Sequence, residues 1–274
     1  MTIPSYIKLI GPHSFANCNR IEKVEFSKDS ELEIIDHHAF FSLSIKSVTI
    51  PLHLTKICDA AFSYCHLIES IEIPENSELK TIEKFAFFQS SIESLTIPQS
   101  LVDLRSSWPS NTLRLKSVNV HPNNQRYMKY GDNLIIGKSS IEKDGYDVLI
   151  FCNRDAKKVT IPNFIRTIDN CAFQFCSSLR SVEIQDDSQL CEIGKESFAY
   201  TAIESFTIPS HLTKIGERAF NRCIRLQKID IQSNSVLRID DSAFCCSSID
   251  SLIIPPNLTE IGSDAFYECK NLHI

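Results

Sequence analysis

The amino-acid sequence predicts an α/β solenoid, a stack of short repeats with a parallel β-sheet on its concave face, short helical turns on its convex side and one β-hairpin insert. Three observations carry this reading. An Ala-Phe or Ser-Phe pair recurs, with phenylalanines at Phe15, Phe40, Phe62, Phe87, Phe173, Phe198, Phe220, Phe244 and Phe266. Outside the gap from Phe87 to Phe173, neighbouring members lie 22 to 25 residues apart, alternating long and short. Each interval also holds an apolar-x-x-apolar-x-apolar segment, which reads as a short strand with alternate residues turned inward.

The period falls in the range of leucine-rich repeats, and its alternation makes the true unit a pair of rungs, A and B. An A rung opens on Ile-Pro, as at Ile3-Pro4, Ile50-Pro51, Ile97-Pro98, Ile161-Pro162, Ile208-Pro209 and Ile254-Pro255, and five A rungs place a cysteine three residues after the Phe. Its strand follows, as in Ile21-x-x-Val24-x-Phe26 or Ile68-x-x-Ile71-x-Ile73. A B rung begins instead with Asp/Asn-Ser, at Asp29-Ser30, Asn76-Ser77, Asp187-Ser188 and Asn234-Ser235, where the acid or amide suits a turn that leaves backbone groups unpaired. The B strand ends in Ile-Pro, a place where proline stops a ladder without removing a needed donor. Segments such as Leu212 to Phe220 are too short for a long helix and predict a turn of helix across the convex side. No rung covers its own apolar face, so stacking supplies the core.

Two places break the pattern. Around Trp108-Pro109 the Phe site is taken by Pro109, and His121 to Lys158 replaces a B rung. Within that segment Tyr127 to Gly137 and Tyr146 to Cys152 are apolar around a polar Lys138 to Gly145, which predicts a hairpin that projects from or caps the array. The predicted organisation is a repeat block over 1–120, the hairpin insert over 121–158 and a second repeat block over 159–274, forming one continuous solenoid. The chain opens on the last residues of a strand and ends mid-rung at Leu272-His273-Ile274, without polar caps. This leaves a fragment, a fold-back or end-to-end self-association as the expected arrangements.

Composition narrows function. With 274 residues, 43% of them hydrophobic and 23% charged, the chain is expected to fold. A net charge of −6, with Lys and Arg scattered among acids, argues against nucleic acid as a partner. No run approaches the roughly 20 apolar residues of a membrane helix, and Met1-Thr2-Ile3-Pro4-Ser5 lacks a basic-then-apolar leader pattern, so direct membrane insertion is not expected. Seven glycines leave little room for phosphate-cradling loops.

Candidate reactive groups reduce to repeat positions. Cys18, Cys65, Cys176, Cys223 and Cys269 share one A-rung position. Equivalent residues two rungs apart would sit roughly 9.6 Å from each other, beyond disulfide reach, so buried reduced thiols are expected. Cys245-Cys246, on the intervening B rung, stays open as a local pairing. Cys65-His66 and His37-His38 lack metal-ligand spacing, so no metal or cofactor is expected. His53 and His211 share an Ile-Pro-x-His slot, and Asp186-Asp187 and Asp240-Asp241 fall in turns, leaving no constellation for an enzyme. Asn257-Leu258-Thr259 matches a glycosylation sequon.

The informative polar residues lie on the strands. The outward position between the last two apolar residues reads Glu25, Thr49, Glu72, Thr96 and Asn119, then Glu183, Thr207, Asp230 and Ile253. A Thr between acids relieves repulsion between adjacent carboxylates and suits a strand. The same row, flanked by Glu22, Glu69, Glu93 and Glu204, also offers a partner-binding surface on the concave face.

The A-rung string Ile208-Pro209-Ser210-His211-Leu212-Thr213-Lys214-Ile215-Gly216-Glu217-Arg218-Ala219-Phe220-Asn221-Arg222-Cys223 resembles the BspA-like type of leucine-rich repeat. The resemblance spans nearly the whole chain, and Tyr127, Gly131-Asp132 and Leu134 match that family's insert. It implies a non-enzymatic surface antigen or adhesin, at the cell surface, that binds a protein or glycan ligand. An intracellular scaffold or inhibitor is the alternative, favoured by free thiols and the missing leader.

Overall fold

A computed structural model describes residues 1–231, 237–254 and 256–273; Asn234-Ser235, Pro255 and Ile274 lie outside the described residues. The chain divides into two compact units, Met1–Lys129 and Tyr130–Ile274, with the boundary inside the 121–158 segment.

In the first unit every rung has three sides. The first carries the expected strands, Glu25–Phe26, Ser47–Thr49, Ser70–Glu72, Ser94–Ile97 and Ser117–Val120. Alternation places Val48 and Leu95 inside while Ser47, Thr49, Ser94 and Thr96 face solvent. The second side is a parallel ladder of Leu9–Ile10, Ile34–Ile35, Lys56–Ile57, Thr81–Ile82 and Asp103–Leu104. This ladder lies in the stretch expected to be helical.

The third side corrects the helical expectation further, because no helix forms among the described residues. Around Phe62, the amides of Ala60, Phe62 and Tyr64 donate to Lys84, Ala86 and Phe88 of the next rung. The amides of Ala61 and Ser63 donate back to Cys58 and Ala60, closing local turns. Half the donors therefore run between rungs, whereas a helix would spend them all on its own chain. A helix about 10 Å across would also not fit a pitch of about 4.8 Å. To aim alternate amides along the array, two residues per rung take left-handed φ, as at Ala60 (54°) and Tyr64 (59°) or Arg218 (54°) and Arg222 (56°).

The strand side pairs in twos. Thr2–Ile3 pairs with Glu25–Phe26, Ser47–Thr49 with Ser70–Glu72, and Ser94–Ile97 with Ser117–Val120. Between pairs the ladder thins, with Ser70 to Ser94 as its one register link. Proline is the cause. At a B-to-A step the residue after the A strand donates to the B strand's last carbonyl, as Ser27 does to Ile3 and His121 to Ile97. At an A-to-B step the corresponding donor would be Pro51 or Pro98, which has no N–H. The proline thus removes a ladder donor after all, and the sheet splits beside Pro51 and thins beside Pro98.

The second unit repeats this plan. Lys158–Ile161 pairs with Ser181–Ile184, and Ser205–Ile208 with Lys228–Ile231. Its lateral ladder runs through Val148–Cys152, Thr167–Ile168, Glu192–Ile193, Lys214–Ile215, Leu237–Ile239 and Leu258–Ile261. The hairpin pairs Leu134–Gly137 with Val148–Cys152, narrower than the apolar stretches suggested and bulged between Ile135 and Ile136. Its second strand joins the lateral ladder, with Val148 and Leu149 paired to Thr167 and Ile168.

Stacked rings fill the cores. Phe173, Phe198, Phe220, Phe244 and Phe266 stack at centroid distances of 4.6, 5.1, 5.1 and 5.3 Å with planes within 9° of parallel. Each buried ring contributes on the order of 2 kcal/mol by leaving water. In the first unit the column of Phe15, Phe40, Phe62 and Phe87 ends on Trp108, 6.4 Å from Phe87, which supplies the ring that Pro109 lacks. In the B-rung turns the backbone bonds come from the serine, not the Asp or Asn: Ser30, Ser77 and Ser188 are buried and accept the amides of Leu32, Leu79 and Leu190. Asn124 and Tyr127 close the end of the lateral ladder. The Asn124 amide reaches the carbonyls of Pro98 (2.7 Å) and Leu101 (2.9 Å), and the Tyr127 hydroxyl accepts the Leu104 amide at 2.8 Å.

Candidate functional site: the outward strand face

Of the expected partner-binding residues, the structure places Glu22, Glu25, Thr49, Glu69, Glu72, Glu93 and Thr96 on the first unit, and Glu183, Glu204, Thr207 and Asp230 on the second. All are exposed except Glu93, which is half-buried. Register brings together Thr49 with Glu72, Thr96 with Asn119, and Thr207 with Asp230. Two members escaped sequence reading, Thr2 beside Glu25 and Thr160 beside Glu183. Their signal was present in Thr2-Ile3-Pro4 and Thr160-Ile161-Pro162, the same Thr-Ile-Pro string as at Thr49 and Thr96.

The alternation is a hydrogen-bonded pairing as well as a spacing device. Thr49 Oγ1 donates to Glu72 Oε2 and Thr160 Oγ1 to Glu183 Oε2, both at 2.9 Å. Bases complete the arrangement: Lys23 lies 2.6 Å from Glu25, Lys158 2.5 Å from Glu183, Arg114 3.1 Å from Glu93 and Arg180 3.1 Å from Glu204. Lys23 holds the Glu25 carboxyl below its ordinary range, and Lys158 with Thr160 does the same for Glu183. The face is therefore a mosaic of offset charges and not the plain row of acids that the strand positions suggest. Ile253 ends the second row as an 86% exposed apolar side chain.

Where the first unit's sheet splits, residues 23–28 and 47–52 with Pro74 line a groove of about 530 Å³. Glu25 and Thr49 both border it.

The eleven cysteines are free. Cys65, Cys176 and Cys223 are buried as expected, but Cys18 is exposed and Cys269 half-buried. Cys65, Cys223 and Cys269 donate to the Phe40, Phe198 and Phe244 carbonyls of the preceding rung at 3.1 Å. Burial pushes Cys65 and Cys223 up to about 12. Cys245 and Cys246 stand with sulfurs 3.4 Å apart. Among the described residues no group of three His, Cys, Asp or Glu is placed to hold a metal, and no helix is long and apolar enough to cross a membrane.

Short rungs bonded to one another on three sides, with rings stacked inside, define a parallel β-solenoid of the leucine-rich-repeat class. The family model for the BspA type leucine rich repeat region matches residues 1–129 and 148–273 in six copies. The chain belongs to that family.

Solved structures agree on the fold. A leucine rich cell surface protein from Faecalibacterium prausnitzii is 25% identical over 99% of this chain and 77% of its own, with a TM-score of 0.81. The pneumococcal vaccine antigen PcpA is 24% identical with a TM-score of 0.76. The chain covers 65% of that antigen's length, and 96% of the chain is matched. A leucine-rich repeat protein from Eubacterium ventriosum is 19% identical over 99% of this chain and 82% of its own, with a TM-score of 0.66. No curated protein matches by sequence.

Proposed function

We propose that this protein is a non-enzymatic, surface-antigen-type binding module that engages a protein or glycan ligand through the strand face. The observation that carries the reading is the outward Thr–acid row, offset by lysine and arginine, with its groove beside Pro51. Such a mosaic offers donors, acceptors and both charges at a pitch of about 4.8 Å, which suits extended polar ligands. The similarity to a cell surface protein supports the surface location. Combined Glu25→Lys, Glu72→Lys, Glu183→Lys and Asp230→Lys substitution is expected to lower capture of glycans on an array, or of immobilised host matrix proteins, by tenfold or more. Unchanged capture by the folded variant overturns the assignment.

A second reading, an intracellular scaffold, is favoured by the eleven free thiols, since reducing compartments keep thiols unpaired. Biotinylation of intact cells separates the two. Labelling before lysis supports the surface module, and labelling only after lysis supports the scaffold.

A further inference from the structure

A corner of the second unit departs from the repeat in a way that points to a ligand. Tyr200, Ala202, Arg222, Ile224 and Arg225 line a recess of about 340 Å³ where the turn side meets the strand side. Tyr200 is 40% and Ile224 70% exposed, and the Arg222 guanidinium lies 6.0 Å over the Tyr200 ring. The matching corner of the first unit, about 370 Å³, is lined by Gln89, Ser91, Asn111, Leu113 and Arg114, so that Gln89 and Asn111 stand where the second has Tyr200 and Arg222.

The charges differ as well. In the first unit Arg114 is held by Glu93 at 3.1 Å. The equivalent acid of the second unit, Glu204, is bound instead by Arg180, again at 3.1 Å, and Arg180 occupies the position of Glu69. This exchange leaves Arg225 without an ion-pair partner among the described residues, and Arg222, in the place of Asn111, has none there either, beside an exposed tyrosine and isoleucine. The first unit shares the exposed aliphatic residue, Leu113 for Ile224, but has neither the tyrosine nor an arginine at the place of Arg222, and its Arg114 is paired, so repeat geometry alone requires neither the ring nor the unpaired charges.

We propose that this recess is a second binding site, separate from the strand face, that takes an acidic peptide segment. An apolar side chain of the peptide packs on Tyr200 and Ile224, and a neighbouring carboxylate is held by Arg222 and Arg225. A peptide suits the recess better than an anionic glycan because its wall is largely apolar. The Thr201 hydroxyl, which a sugar would need, is already engaged with the Cys223 sulfur at 3.3 Å.

The test uses the full chain and fluorescence anisotropy with a labelled octapeptide of alternating aspartate and phenylalanine, its asparagine–phenylalanine counterpart, and a heparin-derived oligosaccharide. The aspartate peptide is expected to bind, with the asparagine peptide at least tenfold weaker. Arg225→Glu and Arg222→Glu each weaken binding tenfold or more, Ile224→Ser weakens it several-fold, and Leu113→Ser in the matching corner leaves it unchanged. All four side chains are exposed, and thermal melts matched to the parent protein establish that the variants fold. Failure of the aspartate peptide to bind, equal binding by Arg225→Glu, or arginine-dependent binding of the oligosaccharide in preference to the peptide overturns the proposal.

Discussion

Cys65 and Cys223 sit in the repeat core with their thiols bonded to carbonyls of the preceding rung, and burial raises both to about 12. Thiolate is the reactive form, so at pH 8 these groups are protonated and inert as well as inaccessible. Brief iodoacetamide treatment of the native protein is expected to modify Cys18 and to spare Cys65 and Cys223, as read by peptide mass spectrometry. The same shift links to stability. A thiol whose folded value lies above its unfolded value of about 8.5 binds its proton more tightly when folded. Its contribution is complete below that unfolded value and is lost as pH rises toward 12. Denaturation midpoints are therefore expected to hold steady from pH 7 to 8 and to fall from pH 9 upward, and Cys65→Ala with Cys223→Ala should flatten the decline.

The turn ladder is the element that sets the repeat apart. Left-handed residues cost about 1–2 kcal/mol each when they carry a side chain, yet the chain places histidine, alanine, serine, phenylalanine and arginine there. Bonds between rungs repay the cost, because only that conformation aims alternate amides at the neighbour. Ala60, 7% exposed with φ of 54°, has little room for branching at Cβ. Ala60→Val is expected to lose about 1–3 kcal/mol in urea denaturation. Ala60→Gly should be within about 1 kcal/mol of the parent, since relief of strain offsets the added freedom of the unfolded chain.

At the scale of the molecule, stability is shared between neighbouring rungs. Phe220 stacks between Phe198 and Phe244 and also meets Phe206 edge-on at 5.0 Å. Phe220→Ala is expected to cost about 3–5 kcal/mol. Hydrogen exchange should show the loss first in the rungs of Phe198 and Phe244, read from the amides of Phe198 and Phe220 that bond to Ala219 and Ala243. Uniform loss across the whole chain would contradict nearest-neighbour stabilisation.

Periodicity by itself determined the rungs, the inward strand residues and most of the outward row, because side-chain alternation and the Phe spacing are written directly in residue order. It misassigned the segment after each Ile-Pro, since apolar residues in a short stretch do not distinguish a helical turn from a strand followed by turns. That choice rests on hydrogen bonds to a neighbouring rung, which are absent from any rung taken alone. Three other features also depend on partners some 21 to 25 residues away: the split beside Pro51, the Thr–Glu pairing across strands, and the exchange of Arg114–Glu93 for Arg180–Glu204. Only the stacked structure supplies those partners, and with them the groove and the open arginines on which function is argued.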